Sequence, residues 1–159
     1  MSTKQTRASA STSRARSNRP PLTRSEVMAR VKGKNTEPER AVRSLLQSLG
    51  YRFRLHRKDL PGSPDIVLPG RRAVIFVHGC FWHGHGCKRG CRSTKANADY
   101  WTMKLAGNVA RDARTRAELE ALGWRVLVVW ECEVKATEAL VEMLQVFLGS
   151  TPARITAKI

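Results

Sequence analysis

No stretch of this chain approaches the roughly 20 consecutive apolar residues that a membrane-spanning helix needs, and no signal-peptide core is present. A helical membrane protein is excluded and secretion is not expected. Acidic residues are scarce. Against 29 Lys and Arg stand only 13 Asp and Glu, giving a net charge of +16 and an isoelectric point near 10.9. Such a surplus points to a polyanionic partner, nucleic acid first, because Lys and Arg neutralise phosphates whatever the base sequence. Cysteines number four. Without a secretory signal they favour a reducing compartment, hence metal binding over disulfides. No internal repeat is present, and 159 residues with 42% hydrophobic content suit one domain with its own core.

Residues 1–24 carry six basic residues and no acidic one, among many Ser and Thr. They lack the bulky apolar stripe of a transit peptide and read as a disordered basic tail. The folded domain is expected over 25–150, with 151–159 a flexible end. Within it, Thr36 and Glu39 have the spacing of a capping box opening a helix over 36–49. Val42, Leu45, Leu46 and Leu49 form its apolar stripe, and Gly50 stops it. Strands are expected over 51–55, 65–68 and 73–78, with Gly70, Arg71 and Arg72 as the turn between the last two. A second helix over 98–122 has an inward stripe of Trp101, Leu105, Val109, Leu119 and Leu122. A dense apolar strand buried on both faces is expected over 124–131. A last amphipathic helix fills 136–148. The order α-β-β-β-α-β-α implies an α/β fold, a mixed sheet flanked by helices.

The segment 78–87, HGCFWHGHGC, holds three of the four histidines and two of the cysteines. Thiolate and imidazole are preferred zinc ligands, and a structural site needs four of them in a tetrahedron. Cys80, His85 and Cys87 are close enough for one loop to wrap an ion, and Cys132 can close the set from far along the chain. Cys91 is a further thiol that competes as a ligand. Phe81, Trp82 and Trp101 are either core or, in a Gly-rich loop with little to pack from, an exposed wedge for a base step. His83 is left over once the tetrahedron is full. It is either a surface histidine or an imidazole available as general base. His78 closes a buried strand and reads as a core histidine, while His56, among basic residues, reads as surface.

Carboxylates give the remaining candidates. Asp65 heads a strand after a Pro-Gly-Ser-Pro turn. With the backbone carbonyl of Val77 on the next strand it makes a reasonable Mg²⁺ seat, although the local sequence by itself favours a plain turn Asp. Asp112 lies seven residues from both Leu105 and Leu119, within roughly 20° of the inward stripe, with Asn108 one turn before it. A carboxylate there is either catalytic or part of a salt bridge with Arg111, Arg114 or Arg116. Glu39 has its capping role.

The segment 78–87 resembles the signature of the very short patch repair endonucleases, bacterial enzymes that nick DNA at T·G mismatches. Residues 60–65 (LPGSPD), 74–76 (VIF), 108–112 (NVARD) and 122–132 (LGWRVLVVWEC) are similar to the same family, and together the matches span roughly 24–135. The resemblance implies a restriction-endonuclease-like core with a structural zinc site. It makes Asp65 the Mg²⁺-binding carboxylate, joined by the Val77 carbonyl. His83 becomes the general base and Asp112 its polarising partner. His78 would contact the scissile phosphate, and Glu39 would support the metal waters. Zn²⁺ would be held by Cys80, His85, Cys87 and Cys132. Phe81, Trp82 and Trp101 would wedge into the major groove and Met28 from the opposite side, with Lys104 and Asn108 reaching the mismatched pair.

Val77 stands where the family often has Thr, and Val77 and Gly79 occupy the places of the second carboxylate and lysine of restriction-type sites. The first costs little if only the Val77 carbonyl binds Mg²⁺, and the second fits the family's histidine-based variant. The implied activity is Mg-assisted hydrolysis of one strand, 5′ to the T of a T·G pair left by deamination of 5-methylcytosine. The enzyme would be a monomer on double-stranded DNA in the bacterial cytoplasm, associated with the nucleoid, with mismatch-repair proteins and a repair polymerase as possible partners. A restriction-type endonuclease cutting both strands and a zinc-stabilised DNA-binding protein without catalysis are the alternatives.

Overall fold

A computed structural model describes residues 33–91 and 97–149. The expected tail, Met28 and the final residues 151–159 lie outside them. Helix α1 (Glu37–Ser48) opens as its sequence requires. Thr36 accepts from the Glu39 backbone N–H, and the Glu39 side chain reaches back to the N-cap. Strands β1 (Arg54–Leu55), β2 (Ile66–Leu68) and β3 (Ala73–His78) follow, then the 24-residue helix α2 (Ala98–Ala121), β4 (Arg125–Trp130) and α3 (Thr137–Leu148). The sheet order is β1-β2-β3-β4. The first two pairings are antiparallel and β3–β4 is parallel, with α2 as the crossover.

Side chains alternate across the sheet, and each face has its own core. Ile66, Leu68, Ala73, Ile75 and Val129 face α1 and α3, packing with Val42, Leu46, Leu140, Leu144 and Leu148. Val67, Val74 and Val126 face α2, where Leu119 and Leu60 cover them. Full burial of a Leu or Ile contributes about 1.5–3 kcal/mol, so the first face carries most of the stability. The last carbonyls of α3 are met from outside the helix. Arg71, Arg125 and Tyr51 donate to the carbonyls of Leu148, Phe147 and Gly149.

Three expectations are corrected. The strand over 51–55 shrinks to Arg54–Leu55, because Tyr51 is drawn into the core and tethered by its hydroxyl to Gly149 rather than to a neighbouring strand. Strand β4 is only partly covered, with Arg125 exposed and Val126 and Val129 buried. The stripe on α2 fails at Val109 and at its C-terminal end. Val109 is 46% exposed and Leu122 52%, and only Trp101 and Leu119 are buried. At Val109 the reason is a cavity of about 360 Å³ between α2 and the sheet, lined by Phe76, Val109, Val126, Val128 and the histidine loop.

Candidate active site and metal centre

Strand β3 ends at His78 and its parallel neighbour β4 at Trp130, and the ladder continues past both, Glu131 N–H donating to the His78 carbonyl. The carboxyl ends of these two strands, where crevices form in such sheets, carry the site. Beyond β3 the loop 79–91 folds back on itself. His83 N–H bonds to the Gly79 carbonyl and His85 N–H to that of Cys80. Gly90 lies so close to this turn that a Cβ there would sit 1.7 Å from the His85 oxygen.

This fold brings Cys80, His85, Cys87 and Cys132 together, with one donor atom of each within 4.8 Å of all the others. His85 is stacked on Trp130 with centroids 4.3 Å apart, which turns its Nδ1 to within 3.4 Å of the Cys132 sulfur. Burial pushes the Cys80 thiol up to about 12, whereas the Gly90 N–H, donating to sulfur, draws Cys87 down to about 6. Burial also raises Cys132. A buried thiol that resists ionisation alone, beside one that ionises readily and an imidazole, is a donor set a divalent soft ion satisfies. Cys91 is exposed and stands outside this quartet.

The rest of the loop turns toward α2. His83 Nδ1 lies 2.5 Å from Asp112 Oδ2, and the His83 ring stacks on His78 at 3.8 Å between centroids and 11° between planes. An ionised carboxylate only accepts. Nδ1 is therefore the donor, and whenever the ring is neutral Nε2 holds the lone pair. His78 is buried among Phe76, His83 and Trp130. Desolvation, followed by the charge of His83, lowers it to about 4, so it is neutral at physiological pH. Arg111 also approaches Asp112, at 3.8 Å.

Asp65 precedes β2, and its Oδ2 accepts from the Val77 N–H at 2.8 Å. Its carboxyl is raised, first by burial and then by the charge of Glu39, while Val77, His56 and Arg43 oppose the shift. A desolvated carboxylate with a second one nearby favours a bound cation, and oxygen donors fit Mg²⁺. Glu39 is itself 3% exposed and heavily engaged, accepting from Asn35 N–H, the Thr36 hydroxyl and Arg43. His56 is not a plain surface residue. It is half-buried and lies 3.1 Å from Arg43 Nη2, which makes it a neighbour of Asp65 that sequence reasoning missed. No local signal marks it, since the partners are 13 residues apart.

The aromatic residues gather. Phe81, Trp82 and Trp101 lie with centroids 5.2 to 5.8 Å apart, and Tyr100 extends the cluster against Trp101 at 5.4 Å. Trp101 is buried beneath, and Phe81 and Trp82 remain partly exposed. Asn108 donates to the Trp82 carbonyl at 2.9 Å and so ties the loop to α2. Lys104 is exposed on the same helix.

The chain is similar to known proteins. Residues 19–89 match the family described as DNA mismatch endonuclease Vsr. A Type II nicking enzyme of Xanthomonas oryzae, V.XorIIP, is 62% identical over 120 residues, covering 76% of this chain and 88% of that protein. The chain belongs to the Vsr family. The DNA mismatch endonuclease Vsr of Escherichia coli is 42% identical over 120 residues, 76% of each chain. Among solved structures, the catalytic domain of the homing endonuclease I-Bth0305I superposes with a TM-score of 0.50 at 24% identity. It covers 70% of this chain and 93% of that domain. The fold is restriction-endonuclease-like, a mixed four-stranded sheet with helices and a Cys/His cluster able to hold a metal ion. Among the described residues no helix is long and apolar enough to cross a membrane.

Proposed function

We propose that this Vsr-family DNA endonuclease nicks one strand of duplex DNA 5′ to the thymine of a T·G pair, by hydrolysis assisted by Mg²⁺. The observation that carries the reading is the single loop 79–91. It offers three of the four Cys/His donors, the Phe81–Trp82 pair of the aromatic cluster, and His83 hydrogen-bonded to Asp112. Recognition and chemistry are thereby coupled through a few residues of backbone.

In this reading Asp112 holds Nδ1–H, so His83 presents Nε2 to the attacking water and takes its proton. The proton then rests on an imidazolium stacked on neutral His78 and paired with Asp112. Asp65 and the Val77 carbonyl would hold Mg²⁺, which when bound polarises the phosphate and stabilises the leaving oxygen. Glu39 would orient the ion's waters. Cys80, His85, Cys87 and Cys132 would hold Zn²⁺ as a rigid brace. Phe81, Trp82 and Trp101, with Met28, would enter the stack beside the mismatch, where unstacking costs less. Lys104 and Asn108 would contact the mismatched pair, and for Asn108 this requires release from Trp82. The basic residues 1–24 would add phosphate contacts. One active site per monomer gives a nick, in the bacterial cytoplasm at the nucleoid, for repair proteins and a polymerase to process.

Strand-labelled duplexes on a denaturing gel test the proposal. A cut 5′ to T in T·G duplex, with T·A duplex nearly untouched, is expected. Equal cutting of both strands of a matched palindrome would make the protein a restriction-type enzyme instead. Mismatch binding without any cut would make it a binding protein.

A further inference from the structure

Arg43 projects from α1 toward the Asp65 side of the site, with a side chain only 12% exposed. Its Nη2 donates to Glu39 Oε2 at 2.7 Å, and Nη1 donates to Asn35 Oδ1 at 2.6 Å. Nη2 also lies 3.1 Å from His56 Nε2. A guanidinium has no acceptor and keeps its proton, so Nε2 of His56 must offer a lone pair and the ring proton sits on Nδ1. His56 makes this contact from a left-handed backbone, φ +47, which residues with side chains seldom adopt. Arg43 Nε is buried without a hydrogen-bond partner. An apolar residue at position 43 would avoid the orphaned donor but leave the buried Glu39 carboxylate without its countercharge. A permanent cation held at such cost, with its charge felt at Asp65, is unexplained by packing.

We infer that Arg43, seated by Glu39 and His56, is a fixed countercharge that keeps the divalent-ion affinity of the Asp65 seat low until DNA phosphate arrives. The inference rests on the reading of Asp65 as that seat. Two carboxylates, Asp65 and Glu39, and one guanidinium leave a single net negative charge facing a doubly charged ion. Without the guanidinium the carboxylates face the ion with twice that charge. The scissile phosphate supplies the missing negative charge in the complex, so ion and substrate are captured together and an idle enzyme holds little metal. Arg43 is in this sense a positioning residue, acting through Glu39 and through its field.

Direct binding of Mn²⁺, followed by the free-ion EPR signal with zinc-loaded protein and no DNA, tests this without any turnover. Arg43→Met and Arg43→Gln should bind Mn²⁺ roughly tenfold or more tightly than wild type, given Coulomb energies at an effective protein dielectric. Arg43→Lys should stay near wild type. Uncleavable matched duplex should tighten Mn²⁺ binding in wild type far more than in Arg43→Gln. A merely structural arginine predicts weakened or unchanged binding in the variants, and that result from a variant with a wild-type melting profile overturns the inference. Arg43→Gln retains a donor for Glu39, so it serves if Arg43→Met fails to fold. Adding Asp65→Asn to either background should remove the Mn²⁺ site. Should binding survive Asp65→Asn, the metal-seat reading itself is wrong, an outcome separate from the failure of the Arg43 inference.

Discussion

His83 and Asp112, 29 residues apart in sequence, meet at 2.5 Å across the gap between loop and helix. The contact fixes the tautomer and the aim of the imidazole at once. Substituting His83→Ala should therefore lower single-turnover nicking by about 10²–10⁴-fold, the usual worth of a general base. Asp112→Asn should also lower it, since an amide can donate to Nδ1 and so favour the wrong tautomer. Binding of mismatched duplex, measured by gel shift, should survive in both. Near-wild-type rates in either variant contradict the assignment.

Asp65 makes a pH-dependent prediction. Its carboxyl is raised above the ordinary 3.8, first by burial and then by Glu39. A folded-state value above the unfolded one contributes stability that is whole below the unfolded value and is lost as pH rises through the folded value. In chelator that spares zinc, wild type should thus lose stability relative to Asp65→Asn as pH climbs from about 4 toward neutrality. At neutral pH the variant should melt at or above wild type while nicking nothing. Added Ca²⁺ should raise the melting temperature of wild type alone. A variant clearly less stable at neutral pH would show that the carboxylate is structurally required.

Much of this architecture can be read locally. The capping box at Thr36 and Glu39 needs only its own four residues, and it forms as written. The loop cysteines and histidines announce themselves by density, and three of them gather with Cys132, donor atoms within 4.8 Å of one another. What failed depends on distant contacts. The α2 stripe assumes that the helix lies flush on the sheet, yet only Trp101 and Leu119 near its two ends are buried and the cavity opens under Val109. Tyr51 has a strand-like neighbourhood in sequence but is claimed by a carbonyl 98 residues away. Nothing in the residues around His56 reveals Arg43 as its partner.

The quartet predicts a contrast between thiols. Cys132→Ser removes a donor that sits against His85 Nδ1, so zinc content by elemental analysis should fall and the melting temperature with it. Cys91→Ser touches an exposed thiol outside the quartet and should keep about one zinc per chain, as one full N/S set provides. Equal zinc loss in both would place Cys91 among the ligands.

Two glycines of one loop should behave oppositely. At Gly90 an added Cβ would lie 1.7 Å from the His85 carbonyl oxygen and 2.9 Å from that of Cys80. Both obstacles are backbone and both belong to proposed zinc ligands, so no side-chain rotation relieves the overlap. Gly90→Ala must displace the turn that converges the donors, and the same shift carries His83 away from Asp112. At Gly86 a Cβ would meet nothing within 4 Å, and its backbone is not in the left-handed region that penalises a side chain. Gly86→Ala should therefore keep zinc, melting temperature and nicking near wild type. Gly90→Ala should lose zinc affinity, melt at least about 4 °C lower and nick poorly even when zinc is in excess. Were Gly90→Ala to retain zinc and full nicking, the loop would have to tolerate a backbone shift at its tightest crossing, and a rigid brace linking the metal quartet to the His83–Asp112 pair would be untenable.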